Sequence, residues 1–388
     1  MKEVLIITNY FPPEMGAASN RIFQLAEGLQ THHFKVSVVT PLPNYPNGKI
    51  FDSYRGTFKH TSTEQQITIH RLWLFASNSK NKVLRLIAML SYSFSLMWFL
   101  LWYKIPKTVI VQSPPLLVAF TSVFFLRSKK RKLILNVSDL WPLAGLELGA
   151  LQKGLGYSLL KKMERFNYKH ADLILGQSLE ILNHILSIYP EKETFLYRNY
   201  PNSKPPKIIE TQSTSKLLKL VYAGLLGVAQ GIYKLCQELN YSTLSFHIYG
   251  SGAEKHTIEA FISKHPELDI VYHGEVSRPE LHKALMTYDI AVIPLVDRIY
   301  GSVPSKIFEY ARLGLPILYF GGGEGEHIVK DNKLGWVAKA GDYNNLNHVI
   351  STIDPSEPRN STFKNQIQQT ALESFDYHLQ LNQFVKMI

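Results

Sequence analysis

In "SVPSKIFEYARLGLPIL", Ser302 to Leu318, a lysine and a glutamate stand three residues apart, Lys306 and Glu309. Ser305, Glu309 and Arg312 fall at i, i+4 and i+7, so they share one face of a helix. Ile307, Phe308, Ala311 and Leu313 supply its apolar positions. The simplest use of the acid is electrostatic, because negative charge near a helix N-terminus contributes about 0.3–1 kcal/mol. A capping box would put the acid three residues after the cap, but Ser305 is followed at that spacing by Phe308.

A second stretch, "NYFPPEMGAASNRIFQLAEGL" from Asn9 to Leu29, follows a strand-like run. Gly16, Ala17, Ala18 and Ser19 are small enough to aim backbone N–H groups and a helix N-terminus at a phosphate. It is neither a G-x-G-x-x-G nor a Walker A loop, so dinucleotide and P-loop readings have no direct support. The single cysteine, Cys236, excludes an intrachain disulfide and a Cys-rich metal site, which fits a reducing cytoplasm. Met1 and Lys2 lead straight into an apolar run without a signal-peptide core, so the protein is expected inside the cell.

Positioning these groups requires strands. In the first half, strand-like runs stand at 4–8, 35–40, 68–73, 108–113, 132–138, 172–178 and 194–199, with helix-like stretches between them. This alternation predicts parallel βαβ units covered by helices on both faces. "PNSKPPKIIETQSTSK", 201–216, has no apolar period and reads as a linker. Alternation then restarts at 218–224, 244–250, 269–274, 289–295, 315–320 and 335–338. The expected architecture is α/β: a Rossmann-like domain over 1–200, the linker, a second such domain over 217–370, and a C-terminal helix over 371–388 packing back on the first. Open α/β sheets bind ligands at the carboxyl ends of their strands, so a site in the cleft between the domains is expected.

One segment departs from the pattern. "VLRLIAMLSYSFSLMWFLLWY", 83–103, carries one charge, Arg85. Its length would permit a bilayer span of about 20 residues, but a span would put two halves of one sheet on opposite sides of a membrane. A buried helix is the plainer reading. Membrane-surface contact is favoured by Phe94, Trp98, Phe99, Trp102 and Tyr103, and by the flanking Lys80, Lys82, Arg85, Lys104 and Lys107.

Of the 388 residues, 45% are hydrophobic and 19% charged, as in a folded chain long enough for two domains. A net charge of +11 points to an anionic partner. The basic run "RSKKRK", 127–132, suits either a solvated loop or a binding surface. With no zinc-finger spacing, arginine-rich tail or aromatic-basic signature beside it, no nucleic-acid partner is expected.

Taken together and in order, "YFPPEMGAASNR", "SPPLLVAF", "NVSDLWP", "ERFNYKHADLILGQS", "YAGLLGVAQG", "FHIYGSGAE" and "VPSKIFEYARLGLPIL" resemble the retaining glycosyltransferases of family 4. Within that family the closest likeness is to the bacterial enzymes of O-antigen, capsule and colanic-acid assembly, such as those moving N-acetyl-L-fucosamine. The resemblance implies a GT-B fold of two Rossmann-like domains facing across a cleft, the first, 1–200, holding the acceptor and the second, 217–370, the nucleotide sugar. It implies that Glu309 accepts hydrogen bonds from the ribose of a nucleotide sugar. Ser305, Lys306 and the amides around them would meet the diphosphate, with Gly16 and Ala17 approaching it from the first domain. Glu275 and Ser277 would border the base, and Asp139 would stand on the acceptor or catalytic side, although it could also merely cap a helix. Further substrate contacts are implied at Asn20, Asn199, Gly224, Gly227, Gln230 and Arg298. Asp139, Lys306 and Glu309 are the catalytic candidates.

Two departures from the family pattern stand out. A first glutamate eight residues before the second is replaced by Gly301, and the cations of G-R-x4-K-G are replaced by Leu225 and Gln230. Lys306, Arg298 and helix dipoles are the expected substitutes. The resemblance further implies no cofactor and no metal, and no Asp-x-Asp motif suggests one. The expected partners are a UDP-linked nucleotide diphosphate sugar, a polyprenyl-diphosphate-linked saccharide, and the inner face of the cell membrane, where the enzyme would be peripherally bound. A nucleotide-sugar epimerase and a non-catalytic sugar-nucleotide-binding scaffold are the alternatives.

Overall fold

The computed structural model describes residues 2–45, 47–79, 81–128, 130–208, 215–296 and 298–388. Of the expected linker, 209–214 lie outside the described residues, as do Lys80 and Lys129. The chain divides into two units: Met1–Arg198 with Tyr300–Ser302 and His378–Ile388, and Asn199–Ile299 with Val303–Tyr377.

The strands of the first unit are β1 (Glu3–Ile7), β2 (Lys35–Pro41), β3 (Lys59–Glu64), β4 (Ile67–Leu72), β5 (Thr108–Ser113), β6 (Lys132–Val137), β7 (Leu173–Gly176) and β8 (Thr194–Leu196). They form one sheet in the order β3-β4-β2-β1-β5-β6-β7-β8. Every pairing is parallel except β3 with β4. Its helices are α1 (Ala17–Thr31), α2 (Lys82–Trp102), α3 (Leu116–Leu126), α4 (Leu143–Glu147), α5 (Leu155–His170) and α6 (Leu179–Ile188).

The second unit holds β9 (Leu218–Ala223), β10 (Leu244–Tyr249), β11 (Ile270–Gly274), β12 (Ile290–Pro294), β13 (Ile317–Phe320) and β14 (Gly335–Val337), all parallel, in the order β11-β10-β9-β12-β13-β14. Between and after them run α7 (Ile232–Glu238), α8 (Lys255–Lys264), α9 (Arg278–Leu285), α10 (Lys306–Leu313), α11 (Glu324–Asp331), α12 (Tyr343–Thr352), α13 (Ser356–Arg359) and α14 (Ser361–Ser374). The final helix, α15 (Tyr377–Val385), groups with the first unit from His378 onward. Its Phe384 meets Phe195 and Tyr197 at ring separations of 6.2 and 5.5 Å, and Gln380 exchanges hydrogen bonds with the Arg198 backbone.

Burial on both faces explains why the strands stood out in the sequence. Leu218, Leu220 and Tyr222 of β9 enter one core of the second unit, while Val221 and Ala223 enter the other. Such strands read as continuous apolar runs. β3, "KHTSTE", was not anticipated. It lies mostly exposed at the sheet edge and pairs antiparallel with β4, so nothing forced apolar residues into it.

α2 has two faces. Tyr92, Leu96, Phe99 and Leu100 join the first unit's core, whereas Leu86, Ile87, Leu90, Phe94, Trp98, Leu101 and Trp102 are exposed. Phe99 therefore corrects the expectation that all five aromatics of this segment present themselves to a membrane: it is 6% exposed and stacks on Tyr103 at 4.5 Å. Among the described residues no helix is long and apolar enough to cross a membrane.

Beside Phe99, His70 on β4 is buried, with Thr61 Oγ1 3.2 Å from its Nδ1. Burial, aided by the charge of Lys59, lowers its pKa to about 4 from 6.5. The unfolded chain takes up this proton as pH falls below 6.5, whereas the folded chain resists until about 4. Stability should therefore drop across that window by roughly 3 kcal/mol, at about 1.4 kcal/mol per pH unit. His70→Gln should flatten urea-unfolding free energies measured from pH 7 to 4; an unchanged slope would reject the assignment.

Candidate functional site

In the second unit, α10 begins just beyond Ser305, which occupies the cap position without a side-chain cap bond. One turn in, Glu309 Oε1 lies 2.8 Å from His282 Nε2 and 3.4 Å from Arg278 Nη2, both on α9. Burial raises the pKa of this carboxyl, but the His282 hydrogen bond and the charges of Arg278, His282 and Lys306 outweigh it, so Glu309 lies below the usual carboxylate value. Neither α9 partner was anticipated. Their spacing of four residues on one helix face was the available signal.

Lys306 points to the carboxyl end of β9. Its Nζ donates to the Ala223 carbonyl and sits 5.4 Å from the centroid of the Tyr222 ring. Burial lowers its pKa, opposed by Glu309. Gly224, at φ +155°, leaves room for this ammonium: a Cβ there would lie 2.0 Å from Nζ. A cation therefore does reach the loop where Leu225 and Gln230 replace the family's basic residues, but it comes from α10. Arg298, the other expected substitute, lies against Gly323 instead. The N-terminus of α7 is not free to receive phosphate, since Glu254 Oε2 accepts the Ile232 and Tyr233 N–H groups at 3.0 and 3.3 Å.

A cavity of about 280 Å³ lies alongside, lined by Gly224, Leu225, Tyr249, Gly250, Ser251, Glu275, Val276 and Leu281. Glu275 and Gly224 are thus brought together. Ser277 is the N-cap of α9, in a capping box with Glu280, so its hydroxyl is already engaged. Gly227 and Gln230 form the turn into α7, with Gln230 N–H donating to the Gly227 carbonyl at 3.1 Å. Asn199 is half-buried at the start of this unit. Arg312 follows Ser305 and Glu309 along α10 at the spacing of one helical face. It is buried, and its Nε donates to the Ser203 carbonyl at 3.1 Å.

In the first unit, Gly16 occupies the N-cap position of α1 at φ +150°, with Ala17 and Asn20 exposed behind it. Arg71, fully buried on β4, holds this loop by donating to the Pro12 carbonyl at 2.7 Å. Asp139 follows β6, half-buried, its pKa raised to about 6 by burial and pulled back by Arg21. Arg21 was missed. It is 6% exposed, and its Nη1 donates to Gln177 Oε1 at 2.6 Å. Gln177 Nε2 in turn donates to the Ser138 carbonyl, so α1, β6 and β7 are tied together directly beside Asp139. A charge within the mostly apolar buried stripe of α1, beside Ile22 and Leu25, was its signal in the sequence.

Gly301 explains itself within the first unit. Its φ is +86°, and a Cβ would lie 2.9 Å from Ile181 Cγ1. Its N–H donates to Glu180 Oε2 at 2.8 Å, its carbonyl accepts from Ser178 Oγ at 2.7 Å, and the Tyr300 N–H donates to Glu147 Oε2 at 2.9 Å. An L side chain here would be strained and crowded, so no glutamate can stand at this position without moving the loop.

Residues 16–196 match the family model described as a glycosyl transferase 4-like domain, and residues 217–353 match that of the glycosyl transferases group 1. No curated protein matches the chain in sequence. Among solved structures, the fold is similar to sucrose-phosphate synthase from Thermosynechococcus elongatus, with a TM-score of 0.76 and 14% identity, covering 100% of this chain and 98% of that one. It is similar to the lipopolysaccharide outer core galactosyltransferase WaaB in its apo form, with a TM-score of 0.66, 15% identity and coverage of 99% and 98%. It is also similar to Anabaena HepE in complex with UDP-glucose, with a TM-score of 0.62, 13% identity and coverage of 100% and 99%.

Proposed function

From a chain that is a glycosyltransferase of the GT-B type, carrying a 4-like and a group 1 domain in that order, we propose a retaining, metal-independent enzyme of bacterial surface polysaccharide assembly, making O-antigen or capsule. It passes a hexose, deoxyhexose or N-acetylhexosamine from a UDP-linked donor to a polyprenyl-diphosphate-linked saccharide at the inner face of the cell membrane. The observation that carries this reading is the pairing of Glu309 and Lys306 on the first turn of α10, with the carboxylate held ionised by His282 and the ammonium delivered to the end of β9.

Glu309 accepts the ribose hydroxyls. Lys306 and the main-chain amides of the turn before α10, around Val303 to Lys306, hold the diphosphate as negative charge develops on it. The acceptor oxygen bonds to the anomeric carbon on the face from which the diphosphate leaves, and its proton departs with a phosphate oxygen. Asp139 orients the acceptor hydroxyl and stays ionised above about pH 6. The test is a thermal-shift panel of nucleotide sugars, since a ligand at 100 times its dissociation constant adds about 2.7 kcal/mol. Stabilisation by UDP-sugars above other nucleotides supports the assignment, and no shift with any of them overturns it.

The outer face of α2 supplies the membrane contact, with Trp98 59% and Trp102 75% exposed and Lys104 and Lys107 beside them. Replacing both tryptophans by serine should lower partitioning onto phosphatidylglycerol vesicles by about one and a half to three orders of magnitude, at about 1–2 kcal/mol per ring. The melting temperature should not move. Phe99→Ser should instead destabilise the fold by about 3 kcal/mol or more. Unchanged vesicle binding of the double variant would reject the contact.

A further inference from the structure

Tyr249, the last residue of β10, forms part of the wall of the second unit's cavity of about 280 Å³. Its ring is backed by an imidazole: His273 of β11 stacks on it at 4.3 Å with 9° between the planes. His273 is held in turn by His247 of β10, whose Nδ1 lies 3.0 Å from His273 Nε2. Tyr288 closes the group from the start of β12, its hydroxyl 3.4 Å from the same His273 nitrogen and 2.8 Å from Tyr249 OH.

The strands themselves bring these rings together. β10 and β11 pair in parallel, His247 with Val271 and Ile248 with Tyr272, but Tyr249 pairs with Gly274, so the register skips His273. Such an irregularity re-aims a side chain. Here the residue it re-aims is the imidazole that backs Tyr249.

The pair can hold one extra proton but not two. Neutral imidazoles share a hydrogen bond in which one nitrogen donates and the other accepts, and a first added proton leaves that bond in place, now charge-assisted. A second puts N–H on both facing nitrogens, so neither accepts and two like charges stand side by side. His247 is half-buried and His273 exposed on the edge strand, so solvent protons reach them. What burial there is lowers both pKa values from 6.5. At His247 the charge of His273 acts the same way, Asp269 ahead of β11 acts against it, and Lys219 of β9 adds to the lowering. Glu275, two residues beyond His273, lies in the cavity wall itself.

Resting on the reading of this cavity as part of the nucleotide-sugar site, we propose that His273 and His247 are positioning residues for Tyr249, and that a second proton on the pair frees His273 from Tyr249 and loosens the cavity wall. The sign follows from the direction of the shifts. The hydrogen bond survives at neutral pH and is lost as pH falls below 6.5, so donor affinity falls in the same window. Glu309, held below the usual carboxylate value, stays ionised there and does not contribute to the change.

Isothermal titration of UDP into the full-length protein at pH 7.5 and 5.5 tests this, with variants compared at equal pH so that the titration of UDP itself cancels. Between the two pH values wild type should lose about fivefold more affinity than His273→Phe, whose ring keeps the stack and takes no proton. His247→Gln should flatten the profile in the same way, because the second charge is gone, and it keeps the test decisive if His273→Phe lowers the melting temperature. At pH 7.5 His273→Phe should bind as wild type does, and His273→Ala about fivefold more weakly, through loss of the ring that backs Tyr249. Wild-type affinity in His273→Ala overturns the positioning role. Parallel pH profiles in wild type, His273→Phe and His247→Gln overturn the proton switch while UDP binding at pH 7.5 leaves the donor site standing. No binding of UDP by wild type at either pH overturns the donor reading with it.

Discussion

Glu309→Ala should weaken binding of the nucleotide-sugar donor by about a hundredfold while leaving the fold intact. The carboxylate lies on the first turn of α10, where His282 at 2.8 Å holds its Oε1 and so fixes the orientation of the group. Loss of a charged acceptor that holds two hydroxyls costs about 2–3 kcal/mol. The cost to folding is small, because Arg278 is exposed and such pairs contribute about 0–1 kcal/mol. Glu309→Gln should fall between the two, since it keeps the shape and loses the charge. The sign of the pH effect follows from the lowered pKa: donor affinity persists at acidities where an ordinary glutamate is already protonated, and falls only below that. Isothermal titration of wild type and variants across pH is the measurement. Equal affinity for wild type and Glu309→Ala would remove this residue from the site.

The largest stability effect is expected away from the chemistry, at Arg359→Met. Arg359 Nε and Nη2 reach Asp289 Oδ1 and Oδ2 at 3.0 and 2.8 Å, and Nη2 also donates to the Leu217 carbonyl at 2.7 Å. The side chains are 8% and 4% exposed, so removing the guanidinium strands a buried carboxylate at the base of β12. Breaking one partner of a buried pair costs about 3–5 kcal/mol. The Lys219 N–H, 2.9 Å from Asp289 Oδ2, offsets only part of it. Asp289→Asn combined with Arg359→Met should recover much of the loss, because the uncompensated charge is gone. Urea unfolding of the three variants decides the matter, and a single-variant cost under about 1 kcal/mol would contradict the buried pairing.

These two sites were unequally visible beforehand. Glu309 could be singled out because its neighbours "PSK" and "EYA" carry a family likeness and because a lone acid in an apolar-periodic segment is conspicuous. Nothing around Asp289 or Arg359 announced a pair, since 70 residues separate them and each reads as an ordinary surface charge. The same holds for Arg21 and Gln177, 156 residues apart, whose hydrogen bond exists only because β7 lies beside β6 near the start of α1. Phe99 and Trp98 are adjacent and chemically alike, yet one is core and the other surface. Helical period assigns them to different faces, but only the packing of α2 on the sheet says which face is inside.

The sequence by itself determined the alternation of strands and helices, the two mostly parallel sheets and the glycine that opens α1, because two-sided burial and a backbone turned to φ +150° constrain residue type locally. Tertiary structure decided which of the expected charges reaches which loop. Lys306 Nζ reaches the carboxyl end of β9 while Arg298 lies against Gly323, Glu254 takes up the first amides of α7, and Gly301 stands where an acid was expected because its backbone is turned to φ +86° and bonded by Glu180. Electrostatic partners are chosen by proximity in space, and side chains far apart in the chain become neighbours only when the sheet places them there.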